Sequence, residues 1–193
     1  MNYLAHLYLS QDNGLSKAGN LMADFLKQAD LSIQPDSILN GIANHRATDK
    51  FTDHYPAIKS LRTEFDPAFR RFVPIMLDVS FDHMLAKSWQ DYHELALTEF
   101  TQRAHQQLVA AEQYMPDLMK NRLRGMAEHG WLASYTSKQT IDKTLISISQ
   151  RIRFENNLDQ AYSEVLNQYE LIEVTFRAFF PVLVKHIKAL KIE

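Results

Sequence analysis

Apolar residues along this chain run in helical stripes with few runs of β-branched alternation, and only five glycines and six prolines punctuate them. That rhythm predicts helices joined by short loops. The pattern places a short helix near Asn2 to Leu9, then helices near Leu15 to Gln28, Pro35 to Phe51, His54 to Glu64 and Pro74 to Trp89. Further helices are expected near Leu95 to Tyr114, Asp117 to Glu128 and Lys138 to Arg153. A long one from Asp159 to about Lys188 follows, which Pro181 is expected to kink or divide. Pro35, Pro67, Pro74 and Pro116 each precede a helical pattern and suit its first turn, where a missing N–H loses nothing. There is no internal repeat, low-complexity tract or long linker, so residues 1–193 read as one all-α, compact helical domain.

The informative positions are those where a polar residue replaces an apolar one within a stripe. At about 100° per residue, Asp78 and Asp82 lie roughly 40° apart on the helical wheel and point the same way. Phe81 and Leu85 flank them on one side, Ile75, Val79 and Ala86 on the other, with His83 nearer the edge of this arc. Two carboxylates one turn apart repel, and an ionised carboxylate in an apolar surrounding needs a strong partner. Arginines, a neighbouring helix end or a divalent cation would each meet that need.

A second helix carries Ile38, Ile42, His45 and Asp49 at i, i+4, i+7 and i+11, so its core stripe turns polar at the last two steps. Imidazole and carboxylate at this spacing can share one cation. Alternatively the carboxylate orients the imidazole, or the pair closes a helix end. Arg46 and Lys50 lie on a neighbouring face, suited to an anionic substrate. His6 is embedded in the apolar Tyr3 to Leu9 segment, where a satisfied core histidine and a ligand are both open readings. Asn20 and Asp24 lie one turn apart at the edge of another helix, just after Gly19, which permits close backbone approach. Asp53-His54, expected in a loop, is a secondary metal dipeptide.

Composition narrows the chemistry. The chain has 193 residues, 46% hydrophobic, which supports one sizeable core, and a formal charge of -2 argues against nucleic-acid binding by bulk electrostatics. The absence of cysteine leaves His and carboxylate as the ligands for any metal. No apolar run is long enough to cross a bilayer and the start lacks a basic leader region, so a soluble cytoplasmic protein is expected. Walker-type, HExxH, GxSxG, GxGxxG and ExxH motifs are all missing. What remains is His plus Asp ligation, suited to Mn²⁺, Mg²⁺, Fe²⁺ or Zn²⁺ and to phosphoester hydrolysis.

Four segments together resemble one family: Asn2-Tyr3-Leu4-Ala5-His6-Leu7, Gly19-Asn20-Leu21-Met22-Ala23-Asp24-Phe25, His45-Arg46-Ala47-Thr48-Asp49 and Leu77-Asp78-Val79-Ser80-Phe81-Asp82-His83. They are similar to the acyl carrier protein phosphodiesterases, and Trp131 to Tyr135 and Gln150-Arg151 extend the likeness into the second half. The resemblance implies a divergent HD-type phosphohydrolase fold, helical and Mn²⁺-dependent, although the His-Asp dipeptide appears here reversed, as Asp82-His83. It implies hydrolysis of the phosphodiester between 4′-phosphopantetheine and a serine of holo acyl carrier protein. It further implies a metal held among His6, Asp24, Asp78, Asp82 and His83. His45 or Asp49 would move protons, and Arg46, with Arg151, would neutralise phosphate charge. An acidic carrier protein calls for a basic rim, for which Arg62, Arg70, Arg71, Lys120, Arg122 and Arg124 are candidates. Two other readings stand beside this one: a phosphohydrolase acting on a nucleotide or other small phosphate ester, and a non-enzymatic helical module that binds carrier protein.

Overall fold

The computed structural model describes residues 1–128 and 130–193. Its elements, among the described residues, are helices and 3-10 turns. The α-helices are α1 (Tyr3–Leu9), α2 (Gly14–Met22), α3 (Asp36–His54), α4 (Pro56–Thr63), α5 (Val73–Lys87), α6 (Leu97–Ala110), α7 (Asp117–Glu128), α8 (Trp131–Ser134), α9 (Lys138–Ser149), α10 (Tyr162–Asn167) and α11 (Tyr169–Leu190). The all-α expectation holds. No helix is long and apolar enough to cross a membrane, again among the described residues.

The centre of the protein is α5, buried at Met76, Leu77, Val79, Phe81, Met84 and Leu85 and therefore nearly all round its circumference. Phe81 packs against Phe176 and Phe179 of α11 with ring centroids 5.7 and 5.9 Å apart. One continuous core then reaches α1 through Leu4 and Leu7, α2 through Leu21 and Met22, and α3 through Ile38. Trp89 and Phe179 belong to this core.

Two local devices place the segments that matter for the site. The first is the crossing of α2 and α3. A Cβ built on Gly19 would lie 2.2 Å from the Ile38 carbonyl oxygen, and one on Gly41 would lie 2.6 Å from the Ser16 carbonyl oxygen. Only glycine permits that approach. The second is an external cap on α1. Asn2 provides no side-chain cap. Instead Asp82, from the middle of α5, accepts the Leu4 N–H at 2.8 Å and the Ala5 N–H at 3.1 Å, one with each carboxylate oxygen. A carboxylate meets the first turn of a helix favourably because the N–H groups there lack intrahelical partners. Asp82→Ala should therefore lower stability by about 3 kcal/mol, since two buried N–H groups lose their acceptor. Urea titration of the purified protein checks this, and a loss near zero would show that water replaces the cap.

Several expected boundaries moved, each for a visible reason. The helix from Leu15 stops at Met22 and continues as a 3-10 turn, Ala23–Gln28, because Phe25 leaves helical geometry at φ -120 and ψ 18 to enter the core. Pro56 opens α4, whereas Pro67 starts only a 3-10 turn, Pro67–Phe69. The last long helix is divided at Gln168 rather than at Pro181, which sits inside an unbroken α11. Burial of Phe179, Phe180, Leu183 and Ile187 on both sides of Pro181 offsets the cost of an interior proline, about 3 kcal/mol for the lost hydrogen bond and the ring's clash together. Helix α8 was not anticipated; it begins after Gly130, whose φ of 55 lies in the left-handed region.

Candidate metal centre and groove

Helix α1 delivers His6, α3 delivers His45 and Asp49, and the 3-10 turn after α2 delivers Asp24. The two imidazoles stack, with centroids 3.8 Å apart and planes 11° from parallel. Their edges point at one carboxylate: His45 Nε2 lies 3.0 Å from Asp49 Oδ2, and His6 Nε2 lies 3.4 Å from Asp49 Oδ1. Asp24 Oδ1 stands 3.7 Å from His45 Nε2. One ligand atom from each of His6, His45 and Asp49 falls within 4.8 Å of the other two, so the three could hold a metal ion. Two imidazole nitrogens with a carboxylate form a donor set that suits Mn²⁺, Fe²⁺ or Zn²⁺. The α-ammonium of Met1 adjoins the cluster, 2.8 Å from Asp78 Oδ1 and 3.3 Å from Asp49 Oδ1.

Protonation follows from these contacts. Burial, reinforced by the adjoining His45 ring, depresses the His6 pKa to about 3 despite Asp49. The ring is therefore neutral; Nε2 faces the Met1 carbonyl at 3.2 Å and the Asp49 carboxylate, both acceptors, so Nε2 carries the proton in the metal-free protein and would give it up when a cation binds. Burial opposes ionisation of Asp49, yet bonds from His45 and His6 together with the Met1 ammonium hold its carboxyl far below the usual range. Burial alone would lower the Met1 ammonium, but Asp78 and Asp49 raise it to about 11. Among the described residues His6 Nδ1 and His45 Nδ1 are buried without a hydrogen-bond partner, so the Nε2 atoms carry the polar contacts of the two rings.

The His6 shift has a consequence for the metal-free protein. A histidine whose folded pKa lies below its unfolded value of 6.5 contributes stability that is fully present above pH 6.5. That contribution is lost as the pH falls toward 3. Chelator-treated protein should lose stability across this window more steeply than His6→Gln, by up to about 1.4 kcal/mol per pH unit. Denaturant midpoints at several pH values measure the difference; parallel curves would mean that His6 is not buried as a neutral ring.

Other anticipated residues lie apart from this cluster. Both oxygens of Asp82 are engaged by the α1 cap, and burial raises its carboxyl to about 7 against the two backbone bonds. His83 is pinned instead between the Tyr135 carbonyl, 2.7 Å from Nδ1, and the Tyr169 hydroxyl, 2.8 Å from Nε2. A carbonyl only accepts, so Nδ1 carries the proton and the Nε2 lone pair is taken by the Tyr169 O–H. His83 therefore joins α5 to α11 and the α8–α9 turn. Arg46 is exposed on α3, one residue past His45 and about 100° round the helix from it. Asp53 and His54 close α3 rather than lying in a loop, Asp53 paired with Arg62 at 2.6 Å and His54 Nδ1 with the Lys50 carbonyl at 2.8 Å. Lys120 and Arg124 are likewise paired, with Asp117 and Glu112.

A groove of about 1010 Å³ opens beside the cluster, headed by Asn2, Tyr3 and Asp24 and walled by Ile75 of α5 and by α7, α8 and α9. Its size matches the upper end of small-molecule sites, about 300–1,000 Å³. Three cations line it, Arg122, Lys143 and Arg151. Burial and the Asp24 carboxylate raise the Tyr3 phenol, while a hydrogen bond with Arg122 works against that rise. Tyr3 thus links Asp24 to the groove's first cation. Lys143 and the α9 hydroxyls went unnoticed in the sequence, although Thr140, Thr144, Ser147 and Arg151 repeat at i, i+4, i+7 and i+11. That stripe is the mirror of the one on α3, polar where a core helix would be apolar.

What α1, α2, α3 and the groove define is a helical protein whose His/Asp centre can hold a divalent cation at the head of a ligand-sized channel. Sequence comparison gives that class a family. Residues 1–183 match the family model described as acyl carrier protein phosphodiesterase, and the chain belongs to that family. Relatives carrying the name acyl carrier protein phosphodiesterase include one from Enterobacter sp. (strain 638), 31% identical over 189 residues, 97% of this chain and 98% of the relative. Others come from Serratia proteamaculans (strain 568), 32% identical over 97% and 98%, and Klebsiella pneumoniae (strain 342), 33% identical over 96% of both chains. No solved structure matches the chain.

Proposed function

We propose that this protein hydrolyses the phosphodiester joining 4′-phosphopantetheine to a serine of holo acyl carrier protein, releasing the apo protein and free 4′-phosphopantetheine. The observation that carries the reading is the convergence of His6, His45 and Asp49 beside a cation-lined groove, in a member of this family. His6 Nε2, His45 Nε2 and an Asp49 oxygen would hold a divalent cation, Mn²⁺ by preference, with Asp24 and Asp78 beside them. When bound, such a cation supplies positive charge that acidifies water and withdraws electron density from a phosphoryl oxygen.

The rest of the chemistry falls to the chain. Water forms the new P–O bond while the P–O bond to the serine breaks, and the serine oxygen leaves with a proton. Asp24 stands at the head of the groove, next to His45 Nε2, and is the carboxyl placed to take the proton from water and return it to the serine oxygen. Partial burial raises its pKa, more than the nearby His45 lowers it, a direction that favours proton uptake. Arg122 and Arg151 face the groove and offset negative charge on the phosphate, a role that exposed Arg46 is less well placed to fill.

The test is a mass measurement. Purified protein with Mn²⁺ and holo acyl carrier protein should convert the carrier to its apo form and release 4′-phosphopantetheine. Intact holo protein alongside turnover of a nucleotide or small phosphate ester would overturn the reading in favour of a general phosphohydrolase. Binding of carrier protein without turnover, with no cation bound, would instead indicate a binding module.

A further inference from the structure

The groove carries more specific information than its volume. On its α9 wall, Thr140, Thr144 and Ser147 are spaced so that one helix face presents a column of hydroxyls, with Arg151 at its outer end. The protons of the first two are committed internally: Thr140 Oγ1 donates to the Ser134 carbonyl at 2.6 Å and Thr144 Oγ1 to the Thr140 carbonyl at 2.6 Å. Thr144 is further bonded to the buried Tyr135 hydroxyl, whereas the lone pairs of Thr140 Oγ1 and the Ser147 hydroxyl remain, so the wall can accept hydrogen bonds from N–H groups at these two positions. Leu118, Met126 and Trp131 of α7 and α8 add apolar surface to the lining, with Asn121 beside them. At the head stand Asp24 and Tyr3, with Arg122 bonded to Tyr3.

Such a channel fits a long, narrow ligand with an anion at one end, amide N–H groups along one side and methyl or methylene surface along the other. The pantetheine arm has that chemistry: a phosphate, a gem-dimethyl carbon, two secondary amides separated by methylenes, and a terminal thiol. We propose that the groove between α5, α7, α8 and α9 is the channel for the 4′-phosphopantetheine arm, with Thr140 and Ser147 accepting from its amides and Arg122 flanking its phosphate. This rests on the phosphodiesterase reading and extends it to residues that set specificity. Recognition by the arm's own amides explains how the site would reject simpler phosphate esters, because acceptor oxygens left unpaired in a half-buried wall oppose their binding.

Two variants test the channel, each read by two measurements. Ser147→Trp places a large ring in the groove from a partly exposed position. It should raise KM for holo acyl carrier protein and weaken calorimetric binding of free 4′-phosphopantetheine, each by at least about tenfold. Ser147→Ala leaves the groove open and removes the acceptor; a loss of about threefold or more in the same two constants is expected. The channel is overturned if both variants stay within about twofold of the parent protein in both constants. Titration with free 4′-phosphopantetheine separates this proposal from the activity itself. A parent protein that binds the free arm and loses it in Ser147→Trp supports the channel even where holo protein stays uncut. One that cuts holo protein but binds the free arm equally in both variants keeps the activity and loses the channel.

Discussion

Asp49→Asn is expected to lower kcat on holo acyl carrier protein by at least about 10³-fold and to weaken Mn²⁺ binding by at least about 100-fold. The size of the effect follows from how many contacts converge on this one carboxylate. Asp49 is bonded by His45 at 3.0 Å, approached by His6 at 3.4 Å, and paired with the Met1 ammonium at 3.3 Å. An amide of the same shape would turn an N–H group toward one of these donors and would carry no charge for a cation. The substitution keeps the volume, so α3 should form normally, and the far-ultraviolet circular dichroism should match the parent. Calorimetric titration with Mn²⁺ and the holo-to-apo mass assay read the two losses separately. Unchanged cation affinity in Asp49→Asn would move the centre elsewhere, to Asp24 and Asp78 as the remaining carboxylates.

The second large effect is on stability. Gly19→Ala, a single added methyl, should destabilise the protein by about 3 kcal/mol, at the upper end for overpacking, because the new Cβ would meet a backbone oxygen rather than a yielding side chain. That oxygen belongs to Ile38, only 2.2 Å away, and the Ile38 carbonyl carbon and Cα both lie at 2.9 Å. The helices must separate to relieve the clash, and Asp24 is carried by the segment that follows α2 while His45 is carried by α3. The 3.7 Å gap between Asp24 Oδ1 and His45 Nε2 should therefore widen, and catalysis should fall along with the melting temperature. A Gly19→Ala protein as stable as the parent would show that the crossing is looser than the contacts imply.

Periodicity made the helical class and most helix positions legible, because stripes such as Ile38, Ile42, His45 and Asp49 report directly which face is buried. It also marked the two elements whose stripes turn polar, and both reach the site. What it could not rank was the role of each acid. Asp78 and Asp82 share a face, yet Asp82 is consumed in capping α1 from a distance of more than seventy residues in sequence while Asp78 reaches the Met1 ammonium. A cap supplied by another helix leaves no local signature. His6 gave the opposite difficulty: an isolated histidine in an apolar segment becomes informative only when folding stacks it on His45. The division at Gln168 was hidden for a similar reason. Gln168 donates to the Glu64 carbonyl at 2.9 Å, a tertiary contact that the apolar pattern does not record.

Helix α1 has seven residues, carries His6, and receives its N-terminal cap from α5. A helix this short does not persist by itself in water. Its existence is conditional on docking, and so is the centre it completes. Opening of α1 alone would take the site apart while the rest of the core stayed folded, giving a population of intact but inactive molecules set by that local equilibrium. With reclosing faster than chemical exchange, the amide protons of Leu4 and Ala5, held by Asp82, would exchange in proportion to the population of that open state, so their protection against deuterium gauges the fraction of molecules able to react.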